Sequence, residues 1–198
     1  MSGTQDPKVA FEIAEAMVEE FEDYLLGNSL YRQLMVKTSA GHRMPKMSAG
    51  SLLERLHDLT HAEETGQLTL EQAHQLADLT DAVDQLADRY APAYRQKLVR
   101  ELKSQIDSWR WFMQDCLDDR LRCQDEYPFE VWIRNRIELL MDTLNDRAPA
   151  DLRSRLRKLD HDLRRVFAPG EFIFDRRLQD RHPRDRYWWL YGRPEGAG

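Results

Sequence analysis

From Pro92 to Asp146 the sequence carries an apolar stripe that dictates a rod. Leu98, Leu102, Ile106, Trp109, Met113 and Cys116 recur at alternating four- and three-residue steps, which places them on one face of an α-helix. About 30 residues at ~1.5 Å each make a rod of roughly 45 Å, a spine along which shorter helices can pack. Tyr127-Pro128 reads as a break, and Ile133, Ile137, Leu140, Met141 and Leu144 then mark a second helix folding back on the first. Trp111 lies about 200° around the helix from Trp109, so the rod is expected to be covered on two sides, the alternative being an exposed aromatic anchor for a partner.

The flanking segments repeat the helical period. Pro7 opens a helix whose apolar face runs through Ala10, Ile13, Ala14, Met17, Phe21, Tyr24 and Leu25 and ends at Gly27-Asn28. Glu12, Glu15, Glu19, Glu20, Glu22 and Asp23 make the rest of its surface acidic. Between residues 31 and 47 the period drops to two, with Leu34 and Val36 alternating with Gln33 and Lys37. A turn at Ser39 to His42 then predicts a small β-hairpin, Pro45 confining its second strand to an edge. Ser51 with Glu54, and Thr69 with Gln72, are capping boxes that open two further helices. A last helix is expected over 150–167, with Leu152, Leu156, Leu159, Leu163 and Val166 inward, until Pro169-Gly170 stops it. Phe172-Ile-Phe174 reads as extended. These signals predict an all-α fold, an irregular antiparallel bundle of about six helices around a long central one, with a hairpin insertion. The bundle domain is expected over residues 1–170, and an Arg/Trp-rich tail over 171–198, packed on the bundle or on a partner.

Charge is distributed unevenly. Residues 1–144 hold 16 Lys+Arg against 26 Asp+Glu, a net of −10, whereas residues 145–198 hold 13 against 9, a net of +4. Such asymmetry can steer charged partners. No apolar run approaches the ~20 residues that span a bilayer, so no membrane partner is expected. Cys116 and Cys123 are seven residues apart. On a continued helix that is roughly 10.5 Å of rise, beyond the ~7 Å Cα reach of a disulfide. Two unpaired thiols imply a reducing, cytoplasmic setting.

No glycine-rich phosphate loop, G-x-S-x-G elbow or zinc-finger spacing is present, and no catalytic residue or cofactor is assigned. Glu54/His57 with His61, and Glu71/His74, match the Glu-x-x-His ligand pattern of di-metal bundles. Helical phase places all of them on outer faces, leaving His57 and His61 as a weak surface site and a metal-dependent bundle enzyme as a minor alternative. The tail carries the main functional signal. Arg184 and Arg186 lead into Tyr187, Trp188, Trp189 and Tyr191, the residue types that dominate protein interfaces. The same residues can instead dock the chain onto its own bundle. Arg153, Arg157, Lys158 and Arg164 on the last helix, with Arg176 and Arg177, form an alternative surface for nucleic acid, although Asp175, Asp180 and Asp185 oppose phosphate there. The sequence therefore predicts a non-enzymatic interaction module, an adaptor or a small subunit of an assembly, with a protein partner or a second copy of itself. The alternative is a nucleic-acid-associated protein.

Overall fold

The computed structural model describes residues 7–34, 38–39 and 44–195. Among them the fold is all-α, with two small two-stranded sheets. The chain divides into two compact units, residues 2–101 and residues 102–198, and the division falls inside one helix.

The first unit contains α1 (Pro7–Glu19), α2 (Phe21–Leu26), β1 (Arg32–Gln33), β2 (Lys46–Met47), α3 (Ala49–Glu64) and α4 (Leu70–Arg89), and it ends in the opening turns of α5 (Ala91–Asp118). The helix expected from Pro7 to Gly27 is interrupted at Glu20, yet both halves keep the apolar face inward: Phe11, Ile13, Met17, Phe21 and Tyr24 are all buried. β1 and β2 pair antiparallel, Arg32 opposite Met47 and Gln33 opposite Lys46. Val36, Lys37 and residues 40–42 of the expected turn lie outside the described residues.

Polar groups from α5 fix the ends of two neighbours. Ser48, not Ser51, caps α3, and Ser51 supplies the reciprocal bond. The buried Glu101 carboxylate accepts from Ser48 Oγ at 2.7 Å and from Gly50 N at 2.8 Å. It thus sits at the positive end of the α3 dipole. One turn earlier, Lys97 Nζ donates to the Gly27 and Ser29 carbonyls at 2.7 and 2.6 Å and lies 4.3 Å from the Tyr24 ring centroid. The Thr69–Gln72 box caps α4 as expected.

The second unit comprises the remainder of α5, then α6 (Arg120–Leu144), α7 (Ala150–Arg164), β3 (Phe167–Phe172) and β4 (Tyr191–Pro194). The break between the long helices falls at Asp119, not at Tyr127-Pro128. Asp119 is extended (φ −132°, ψ 92°) and its side chain accepts from Arg122 N at 3.1 Å, capping α6. Pro128 is carried inside α6. The roughly 3 kcal/mol cost of an interior proline is offset by packing, since neighbouring Tyr127 is fully buried against Trp109 and Phe112. The turn at Asp119 also overturns the expected cysteine geometry. Cys116 and Cys123 are 4.6 Å apart at Cα and form a disulfide, so the cytoplasmic setting loses its argument from free thiols. Trp111 corrects a further expectation. It is 60% exposed, with the Arg110 guanidinium 4.7 Å from its ring centroid, and α5 is open to solvent at this position.

α7 stops at Arg164, earlier than expected, because Phe167 already begins the strand that pairs antiparallel with β4. Phe167 lies opposite Pro194 and Phe172 opposite Tyr191, with a bulge between. Gly192 is obligatory in this ribbon. Its φ is +142°, and a Cβ there would lie 2.1 Å from the Ala168 carbonyl oxygen. Among the described residues no helix is long and apolar enough to cross a membrane.

Tyr94 of α5 supplies a test of the first unit. Its ring meets Phe21 edge-on at 5.9 Å, and burial, with the Asp84 and Glu101 charges adding, pushes its phenol up to about 12. An unfolded tyrosine ionises near pH ~10, so this contribution is intact below pH 10 and is lost as pH rises from there toward 12. Denaturant titrations at pH 8 and pH 11 should show Tyr94→Phe losing less stability between the two than the parent chain.

Candidate functional site

The chemistry of the second unit collects around one buried cation. Arg134 occupies an inward position of α6 and is 3% exposed. Its Nε and Nη2 donate to the two carboxylate oxygens of Asp160 on α7 at 2.8 and 2.9 Å, and Nη1 donates to Glu138 at 3.0 Å. Burial opposes the charge, but the bonds to Asp160 and Glu138 outweigh it and hold the guanidinium above its ordinary pKa. The open face of the guanidinium lies 3.7 Å from the centroid of the Trp189 ring. Trp189 in turn donates from Nε1 to Asn135 at 2.7 Å and accepts at its carbonyl from the Tyr127 hydroxyl at 2.8 Å. Arg186 pairs with Glu138 at 3.2 Å and with Asp142.

These contacts divide the aromatic tail by role. Trp189, Leu190 and Tyr191 are buried at 2%, 0% and 7% exposure, so this part of the tail anchors the ribbon to α6. Tyr187 is half-buried against Trp189 and His182, and Arg186 is held by the acids of α6. Trp188 faces the other way. Its ring meets the edge of Phe167 at 5.3 Å, and the Arg164 guanidinium lies over it at 3.8 Å.

The result is a surface cleft of about 470 Å³ lined by Arg164, Phe167, Pro169, Arg184, Asp185, Trp188 and Tyr191. Arg184 lies over the Tyr191 ring at 5.3 Å, and its guanidinium makes a long 3.5 Å contact to the Gly170 carbonyl. Tyr191 is fixed beneath it by a 2.7 Å bond from its hydroxyl to the His182 carbonyl. Within the described residues, neither Arg164 nor Arg184 has a carboxylate partner. The cleft therefore takes Arg184, Trp188 and Tyr191 from the residues expected to bind a protein, and Arg164 from those expected to bind nucleic acid.

The other basic residues do not join it. Arg153 donates to the carbonyls of Ala148 and Asn145, Arg176 lies 3.7 Å from Glu171, and Arg177 pairs with Asp175. Arg157 and Lys158 are exposed on α7. His57 is exposed on α3, and His61 lies 3.9 Å from Glu64. Among the described residues no three His, Cys, Asp or Glu side chains are placed to hold a metal.

Arg134 and Phe167 are among the contributors that the sequence does not single out. Arg134 continues the buried run Tyr127, Val131, Arg134, Ile137, Leu140, so its helical phase marks it as inward although its charge argues otherwise. Phe167, expected at the end of a helix, is instead the first residue of a strand and a wall of the cleft. Comparison with protein-family models, with curated proteins and with solved structures finds no match to this chain.

The anchor and the cleft should separate in stability measurements. Trp189→Ala removes the cover of Arg134 and should cost about 3–5 kcal/mol, as large-to-small changes of buried aromatics do. Arg184→Gln, at the exposed rim, should stay within ~0.5 kcal/mol of the parent. Urea unfolding followed by far-UV circular dichroism compares the two directly.

Proposed function

We propose that this protein is a non-enzymatic interaction module that receives a protein partner at the cleft between the end of α7 and the β3–β4 ribbon. One observation carries the reading: two arginines without carboxylate partners among the described residues lie over aromatic rings at the rim of an open cleft. Tryptophan, tyrosine and arginine supply most of the energy at protein interfaces, and here the aromatic members are already held in place by the fold. An adaptor or a small subunit of an assembly is the role that fits such a surface. A second copy of the chain is one partner within this reading.

The nucleic-acid alternative draws less support. Base stacking needs exposed ring faces, and the faces of Trp188 and Tyr191 already carry Arg164 and Arg184. Arg153, Arg176 and Arg177, expected to meet phosphates, are bonded within their own neighbourhood.

Placing a photo-crosslinking amino acid at Asp185, with Gln96 as a control position, tests the reading in extract of the native host. The expected result is a discrete protein adduct from position 185 that survives nuclease and disappears when Arg164→Gln and Arg184→Gln are combined. Adducts lost on nuclease treatment, or the same adducts from position 96, would overturn it.

A further inference from the structure

Resting on the interaction reading above, we infer that the cleft recognises one acidic side chain with a large apolar residue beside it, on an exposed segment of the partner protein. The arginines set the charge of the occupant. A guanidinium lying over an aromatic ring keeps its N–H donors free in its own plane, where they match a carboxylate bidentately. Arg164 is held in this way over Trp188, and Arg184 lies over Tyr191 with one nitrogen in a long 3.5 Å contact to the Gly170 carbonyl and, among the described residues, no bond to its other donors. Asp185 shares the lining, so two positive charges and one negative leave a net of +1. That balance answers a single carboxylate and disfavours the row of phosphates on a nucleic acid.

The walls set the rest of the occupant. Phe167 and Pro169 form an apolar flank beside the charges, suited to an aliphatic or aromatic side chain. Arg164, Pro169, Arg184 and Asp185 are all exposed, so the cleft is open. Small ligands are bound by enclosing some ~70–90% of their surface, which an open cleft does not do, whereas a side chain projecting from a segment needs no such enclosure. Strand addition is also disfavoured. Pro169 and Gly170 sit in β3 next to its bulge, where a proline removes a ladder donor. Recognition therefore runs through side chains and not through the partner backbone.

A displayed library of random dodecapeptides, panned on the full chain and counter-selected on the combined Arg164→Gln, Arg184→Gln variant, tests this directly. Circular dichroism of the variant first confirms that it is folded. Enriched peptides should share Asp or Glu next to Leu, Phe, Ile or Trp. Replacing that acid by its amide should weaken binding at least about tenfold, the scale of losing a charged hydrogen-bonded contact at an interface. Bound peptide should also shift the indole N–H resonance of Trp188. Enrichment of peptides lacking an acid, equal binding to the variant, or no enrichment would overturn the inference. So would a phosphoserine version of the selected peptide, or an oligonucleotide, binding more than about tenfold tighter, since charge matching favours the anion a site is built for. The two readings fail separately. A cross-linked partner at position 185 that selected peptides do not displace removes the acidic-segment inference and leaves the interaction module standing, whereas absence of the adduct removes both.

Discussion

A guanidinium shut away from water persists only when its charge is answered on every side, and Arg134 imposes that condition on the second unit. Asp160 engages two of its nitrogens, Glu138 a third, and Trp189 covers the remaining face. Each partner comes from a different place in the chain: α7, α6 itself and the turn before β4. A buried pair of this kind adds little net stability compared with an apolar substitute. What it does is penalise every arrangement in which one partner is missing, because an unmatched buried charge costs several kcal/mol. The position of the ribbon on α6 is thereby tied to the position of α7.

The cleft is a by-product of that arrangement. Once Trp189 is drawn inward to Arg134, the neighbouring Trp188 is turned toward Phe167 and Arg164. The bulge and Gly192 let β3 and β4 close tightly enough to bring Pro169 and Tyr191 to the same rim. Clefts supported by rigid elements are more defined than those on free loops. Here the support is a two-stranded ribbon that would be marginal alone and is held by the buried tryptophan.

The helical core was legible from sequence because burial leaves a periodic trace. The stripe from Leu98 to Cys116 is buried throughout, and the Thr69–Gln72 cap sits where its spacing put it. Where the reading failed, a polar group had overridden that period. The stripe runs on to Cys116 with no sign of stopping, yet the Asp119 carboxylate caps a new helix three residues later and folds Cys123 back against Cys116. Proline at 128 suggested a break, but the packed rings around Tyr127 hold the helix through it. Of the site, the aromatic and basic members of the tail were visible, while their division into anchor and rim was not. Trp188 and Trp189 are adjacent and chemically identical, and what distinguishes them is the set of groups that α6 presents to Trp189: Arg134, Asn135 and the Tyr127 hydroxyl.

The dispersal of Arg134's partners along the chain also sets an order in time. α6 and the acid of α7 leave synthesis before the ring that covers them, since Trp189 follows Asp160 by more than two dozen residues. Until Trp189 docks, the central cation of the α6–α7 pair has its acids but lacks its lid, and one face of Arg134 stays open to water. The closing event is the docking of one tryptophan.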